Sequence, residues 1–472
     1  MTNKKPNILF IFTDDQRFDT IKALGNNEIL TPNLDKLVFS GTSFTQAHIP
    51  CGTSGAVCMP SRAMLHTGRT LFHLKGEGQS IPNEHKTMGE AFQNAGYNCY
   101  GTGKWHNGAD AYARSFNMGD EIYFGGMADH WNVPSNDFDP TGKYEQEFPV
   151  MMNPKLSRDM MMVRSNRLTR GKHSTDLFCD CTKSFIENYD SDKPFFCYVS
   201  LMAPHDPRTM PEKWKKMYDP KEVSLPENYK PEHHFDMGVR DIRDECLANY
   251  PRGEDEVREH LAEYYGMISH LDDAVGQIIS SLKDKRVLDN TIIVFAGDNG
   301  LAVGQHGLFG KQNHYEHSIR VPLIFSGPNI PQGEKRDTYA YLLDIFPTLC
   351  EMTGTECPDS VEGNSLVKSI ESSEYKNRED LFFAYTDMMR SVKKDPFKLI
   401  NAIHDGTRFV QLFDLKNDPL ELKNLASDDA HADTLKSLEA KLFEYKANWE
   451  DNGHRMSNKF WSDYETAPVQ NP

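Results

Sequence analysis

The sequence predicts an α/β protein. A large, mostly parallel or mixed sheet is sandwiched by helices, and a smaller C-terminal antiparallel sheet and helix follow. Three observations lead there: short apolar runs rich in β-branched and aromatic residues, helical patterns between those runs, and a change to short alternating runs after about residue 375. The first run is Asn7-Ile8-Leu9-Phe10-Ile11-Phe12, apolar on both faces as a covered strand requires. Tyr97-Asn98-Cys99-Tyr100-Gly101, Phe195-Phe196-Cys197-Tyr198-Val199-Ser200-Leu201 and Thr291-Ile292-Ile293-Val294-Phe295-Ala296 repeat the pattern. Helical periodicity falls at roughly 32–40, 61–68, 86–96, 175–190 and 256–285. Phe397-Lys398-Leu399-Ile400-Asn401 and Phe409-Val410-Gln411-Leu412-Phe413-Asp414 mark the antiparallel sheet, with a helix near 431–449. The domain division expected from this is 1–374 for a large α/β domain and 375–472 for a smaller α+β subdomain. Two stretches, about 107–172 and 204–253, lack regular periodicity and are expected to be long loops or insertions.

Bulk properties narrow the function. The 472 residues are 38% hydrophobic and 26% charged, which suits a globular chain with a large core. A formal charge of −17 argues against nucleic acid or an anionic membrane surface as partner. An anionic substrate would then need a local cluster of cations. Nine cysteines show no disulfide-scaffold spacing and no Cys-x-x-Cys pair, so a structural zinc site is not expected; a Cys350–Cys357 pairing stays open. The start Met1-Thr2-Asn3-Lys4-Lys5-Pro6-Asn7 leads straight into a strand and shows no signal peptide. That fits the cytoplasm, but also a chain whose leader has been removed, and a periplasmic or secreted location is the expectation.

The strand ends carry the chemistry. They lead into Asp14-Asp15-Gln16-Arg17, Gly103-Lys104-Trp105-His106, Pro204-His205-Asp206 and Gly297-Asp298-Asn299-Gly300. In open α/β sheets, ligands bind at the carboxyl ends of strands. Asp14, Asp15, Asp298 and Asn299 are hard oxygen donors, which suit Ca²⁺ or Mg²⁺ better than zinc. An isolated Asp-Asp is more often a turn or a cap; two such pairs on two strand ends favour a cation. Cys58-Met59-Pro60-Ser61-Arg62 sets Cys58 at a helix start, where free N–H groups favour an anion, and Arg62 one turn on can reach back. Cys51 lacks the following Pro and Arg and reads as a buried apolar residue.

Cys58-Met59-Pro60-Ser61-Arg62 with Thr67-Gly68-Arg69 resembles the signature of type I, formylglycine-dependent sulfatases. Pro6-Asn7-Ile8-Leu9 with Asp14-Asp15, Gly103-Lys104-Trp105-His106, Gly297-Asp298-Asn299-Gly300, Gly310-Lys311, Arg320-Val321-Pro322-Leu323, Leu343-Asp344-Ile345-Phe346-Pro347-Thr348-Leu349 and Leu412-Phe413-Asp414-Leu415-Lys416-Asn417-Asp418-Pro419 continue the likeness in the family's order. The resemblance implies an alkaline-phosphatase-like fold. It implies oxidation of Cys58 to an aldehyde (3-oxoalanine, formylglycine) by a maturation enzyme, whose hydrate attacks sulfur. It implies one Ca²⁺ ion held by Asp14, Asp15, Asp298 and Asn299, with residue 58 completing the shell. Lys104, Lys311 and Arg62 would spread positive charge over the sulfuryl group. His205, helped by Lys311, would protonate the leaving alcohol, and His106 would be the base that expels sulfate. Arg164, Arg167, Arg170, His173 and Trp131 are candidates for a substrate subsite, against a solvated basic loop. A sulfated saccharide is the first substrate class. The alternatives are a phosphonate or phosphate monoester hydrolase on the same scaffold, a choline or aryl sulfatase, and a non-catalytic binder of sulfated glycans.

Overall fold

The computed structural model describes residues 4–151 and 160–472. The start Met1-Thr2-Asn3 and the part of the irregular stretch at 152–159 lie outside the described residues. The main sheet has eight strands: Asn7–Thr13 (β1), Gly41–His48 (β2), Asn98–Lys104 (β3), Met118–Tyr123 (β4), Phe195–Ser200 (β5), Thr291–Gly297 (β6), Leu323–Ser326 (β7) and Glu334–Tyr341 (β8). Their order is β8-β2-β7-β6-β1-β5-β3-β4, and all run parallel except β7, which opposes both its neighbours. The expected mostly parallel sheet is therefore present.

Side-chain alternation explains why β1 is apolar throughout. Ile8, Phe10 and Phe12 enter the core on one face, while Leu9 and Ile11 enter a second core on the other. Helices Pro32–Phe39 (α1), Cys58–Thr67 (α2), Met88–Asn94 (α3), Ser174–Asn188 (α4), Glu254–Asp284 (α5) and Ile345–Thr353 (α6) cover the sheet. The first five match expected helices, though α2 starts at Cys58 itself rather than at 61. α6 was not legible as a helix, because its Ile345-Phe346-Pro347 start reads as an apolar run with a breaker.

A second sheet follows: Asp380–Tyr385 (β9), Met389–Lys394 (β10), Phe397–His404 (β11) and Thr407–Asp414 (β12) form an antiparallel meander. Short strands Cys51–Gly52 and Val469–Gln470 add to its two edges in parallel. Helices Ala432–Asn448 (α7) and Arg455–Thr466 (α8) close the chain. The stretch 107–172 is more ordered than expected. Its described part holds β4 and two small antiparallel pairs, Asn132–Ser135 with Arg167–Arg170 and Glu147–Met151 with Met160–Arg164. Cys350 and Cys357 are both free thiols. Among the described residues no helix is long and apolar enough to cross a membrane.

Register sets up the site. Phe12 pairs with Ser200, Thr13 with Gly297, and Ser200 with Gly103. The four strands therefore end level, and the polar residues after them emerge at one place.

Candidate active site

Beyond β1, the Asp14 N–H donates to Ala203 O at 3.2 Å, and the Asp298 N–H donates to Thr13 O at 3.0 Å. The Asp15 N–H donates to Asp298 Oδ1 at 3.0 Å. Asp15 itself has φ 62°, a left-handed backbone that turns its carboxylate back toward the site. Asn299 Nδ2 and Lys311 Nζ each donate to Asp15 Oδ1 at 2.6 Å. Lys104 Nζ is bonded to Asp14 Oδ2 and lies 3.9 Å from Cys58 Sγ. His106 Nδ1 stands 3.5 Å from the same sulfur. His205 Nε2 faces Asp15 Oδ2 at 3.7 Å.

α2 carries Cys58 to this point and is locked there. Ser61 Oγ donates to Asp298 O at 2.6 Å. The Arg62 guanidinium donates from Nε to Asp298 Oδ2 at 2.9 Å, and from Nη1 to Lys104 O at 3.1 Å and Ser200 Oγ at 2.6 Å. Arg62 is thus fully buried and clamps the Asp298 carboxylate.

The electrostatics are those of a dry, strongly coupled site. Burial pushes Asp14 up, but Lys104, His205, Arg62 and Lys311 outweigh it and hold the carboxyl well below its usual range. Burial and the neighbouring Asp14 push Asp298 up to about 7. Burial raises the Cys58 thiol, with Lys104 and Lys311 offsetting only part of the effect. Burial, then Lys104 and Arg62, keep His106 neutral well below the ordinary imidazole range. Burial opposes the charge on Lys311, but Asp15 and its neighbours hold that ammonium well above its usual value. Three crowded carboxylates with this little solvent could hold a metal ion. Asp14, Cys58 and Asp298 offer ligand atoms within 4.8 Å of one another, as do Asp14, Asp15 and His205. Asp14 Oδ1 and Asn299 Oδ1 are buried without a hydrogen-bond partner. Orphaned oxygens on hard donors fit a divalent oxygen-seeking ion.

The family model described as Sulfatase matches residues 6–355. The chain belongs to the sulfatase family. As a sulfatase it is a sulfuric ester hydrolase. The sulfatase also matches the family described as N-sulphoglucosamine sulphohydrolase, C-terminal, over residues 304–448. An arylsulfatase of Clostridium perfringens is 28% identical, covering 99% of each chain. An N-acetylglucosamine-6-O-sulfatase of Bacteroides thetaiotaomicron is 25% identical over 95% of this chain and 88% of its own. A structure solved with its substrate D-glucosamine-2-N,6-O-disulfate is 22% identical, with TM-score 0.79, and covers 97% of this chain and 100% of the other. That likeness supports the alkaline-phosphatase-like fold.

The sulfatase's other sequence candidates divide. Arg167 is paired with Glu121 at 2.8 Å and Asp137 at 2.5 Å, so it ties the strand Arg167–Arg170 to β4 and to the segment after Asn132–Ser135. His173 is buried, accepts from the Thr175 N–H at 3.2 Å to cap α4, and is bonded to Thr209 O at 2.8 Å. Ion pairs account for the placement of Arg167, and burial and a cap for that of His173. Trp131 packs edge-on against His173, and Arg170 is exposed. Arg164 lines a cavity of about 850 Å³ beside His106, together with Met59, Ile81, Asp110, Phe124 and Met162. His306 bonds Leu420 O at 3.1 Å and shapes its loop. Glu316 binds Lys393 at 2.7 Å and Lys398 at 3.1 Å, which ties it to β10 and β11. Sequence reasoning missed Ser200, Ser61 and the Asp206–Arg243 pair, which is bidentate at 2.6 and 2.9 Å. Ser200 closes an expected strand and Ser61 lies inside the quoted motif, so both had a signal. Arg243 sits in an aperiodic stretch and had none.

Proposed function

We propose that this sulfatase removes a sulfate ester from a sulfated saccharide, using a nucleophile made from Cys58 and one Ca²⁺ ion. The observation that carries the reading is the buried Cys58 at the start of α2, in contact with Lys104 and His106 and bordered by Asp14 and Asp298. Burial pushes the Cys58 thiol up, which makes it a poor nucleophile and supports a changed side chain at this position. Oxidation to 3-oxoalanine by a formylglycine-generating maturation enzyme is that change. The aldehyde adds water, and one hydroxyl of that hydrate is the oxygen nucleophile where the thiol offers sulfur. Asp14, Asp15, Asp298, Asn299 and residue 58 would hold the ion, which when bound adds positive charge beside the sulfate oxygens.

The chain's own residues do the rest. Lys104 and Lys311 bind the sulfate oxygens, and both are already fixed by Asp14 and Asp15. Preorganised charge of this kind stabilises the transferring sulfuryl group without reorganisation. Arg62 keeps Asp298 ionisable and in place. His106, neutral and with Nδ1 3.5 Å from Sγ of residue 58, would take the proton of the hydrate's second hydroxyl, so that the sulfate carried on the first leaves and the aldehyde re-forms. His205, with Lys311, gives a proton to the departing alcohol oxygen. The cavity beside His106 has the size of a small-ligand site and offers Arg164, Asp110 and apolar surface to a sugar.

The test is desulfation of a panel of sulfated mono- and disaccharides, followed chromatographically beside aryl sulfate, choline sulfate and phenylphosphonate. A sulfated saccharide is expected to react fastest, with chelation abolishing turnover and Ca²⁺ restoring it. Preference for the phosphonate over every sulfate ester contradicts the reaction class. A small non-sugar ester preferred over all saccharides contradicts the substrate class. Unchanged activity after exhaustive chelation contradicts the metal.

A further inference from the structure

The His106 ring is held from two sides, and one of them is a glycine. The backbone under the ring is fixed by its neighbours. His106 has φ 73°, Trp105 is buried with Nε1 donating to Gly108 O at 2.7 Å, and Asn107 Nδ2 donates to Met59 O at 2.9 Å and Gly78 O at 2.6 Å. What is left to specify is rotation of the imidazole about its side-chain bonds. One edge of the ring meets residue 58, with Nδ1 3.5 Å from Sγ. The opposite edge meets Gly126. A Cβ added there would stand 2.7 Å from Nε2 and 2.9 Å from Cε1. Gly126 belongs to the turn Phe124-Gly125-Gly126-Met127 after β4. That turn is drawn alongside the 104–107 segment by the Trp105 N–H, which donates to Tyr123 O at 2.8 Å.

We propose that Gly126 is a positioning residue for His106: its bare backbone is the stop that sets the imidazole against residue 58, and any side chain there displaces the ring. The inference rests on the proton-transfer role given to His106 above. The displaced atoms are the far end of a side chain, so the fold absorbs the change at little cost. Proton transfer does not, because misplacing a reacting group by about 1 Å can cost on the order of 100-fold in rate.

The experiment is a double-mutant cycle with Gly126→Ala, His106→Ala and both together, measured on the mature, Ca²⁺-loaded enzyme as kcat, KM and thermal midpoint with one sulfate-ester substrate. Gly126→Ala is expected to lower kcat by about 10- to 100-fold, with KM within about twofold and the thermal midpoint nearly unchanged. In the His106→Ala background the same change is expected to cost less than about twofold, because the ring it acts through is gone. A wild-type kcat for Gly126→Ala, or an equal loss in both backgrounds, overturns the proposal. If Gly126→Ala alone does not fold, the cycle is read on the thermal midpoint instead. A double variant as stable as His106→Ala then supports the clash with the ring, and an equally unfolded one overturns it. A fully active His106→Ala is a separate outcome that removes the role of His106 itself, and Gly126 loses its function with it.

Discussion

At the scale of single residues, the site depends on Arg62 and Asp298 being buried together. The carboxylate is fully buried and raised by burial, and the guanidinium that clamps it also reaches Ser200 and Lys104 O. Removing one partner of such a pair leaves a buried charge uncompensated, at about 3–5 kcal/mol. Arg62→Met is expected to lower unfolding free energy by that amount in urea titrations and to abolish turnover. A loss below about 1 kcal/mol would show that the pair is not what holds Asp298. Here the sequence and the structure part company. Cys58, Lys104, His106 and the four oxygen donors were legible because each follows a recognisable strand or helix start. The clamp was not, since Arg62 and Asp298 are 236 positions apart and only the level strand ends bring them together. Gly126 was illegible for the same reason.

Among the elements, α2 matters most, because its N-terminus presents residue 58 and its C-terminus is tied down. Gly68 closes it with φ 64°, and its N–H donates to Met64 O at 2.8 Å. A Cβ at Gly68 would lie 2.7 Å from Val361 Cγ1, and the loop beyond is held by the Glu362 and Gly363 N–H groups donating to Gly68 O at 2.8 and 3.1 Å. Gly68→Ala is therefore strained both by backbone and by contact, and is expected to cost about 1–3 kcal/mol, read as a lower urea midpoint. An unchanged midpoint would mean that the helix end is not under this constraint. Elements also explain what the sequence hid. β1, β3, β5 and β6 were readable because both faces are buried. β2, Gly-Thr-Ser-Phe-Thr-Gln-Ala-His, lies inside the same sheet and is mostly buried but half polar, so its pattern carries no strand signal. The two small antiparallel pairs within 107–172 are short and Met- or Arg-rich, with three exposed methionines, Met160, Met161 and Met162, in one strand. Such strands are specified by their partner rather than by periodicity.

Across the whole molecule, the C-terminal sheet is not a separate core. Cys51–Gly52 pairs with Ala384 and Tyr385, and Leu381, Phe382 and Phe383 share one apolar cluster with Ile8 and Phe10. We propose that 1–374 and 375–472 unfold together despite the change of architecture, so a single thermal transition is expected; two resolved transitions would separate them. That transition should be acid-sensitive. Burial lowers His48 and His306 to about 4, and His66, His173 and His233 to about 3. All five are neutral in the fold, while in the unfolded chain they titrate near 6.5. Below about pH 6.5 the unfolded chain binds protons that the fold refuses, so stability is full above that value and is lost as pH falls toward 4 and 3. The thermal midpoint is expected to drop steeply between pH 7 and about 4.5; a flat profile would mean that these imidazoles are solvated.

The most direct measurement is the mass of the peptide carrying residue 58, taken from enzyme produced in a host with formylglycine-generating activity and assayed in parallel. A peptide about 18 Da lighter than the thiol form, the difference between thiol and aldehyde, is expected, in proportion to sulfate-ester turnover. Full activity in a protein that carries only the thiol at Cys58 would contradict the proposed nucleophile outright.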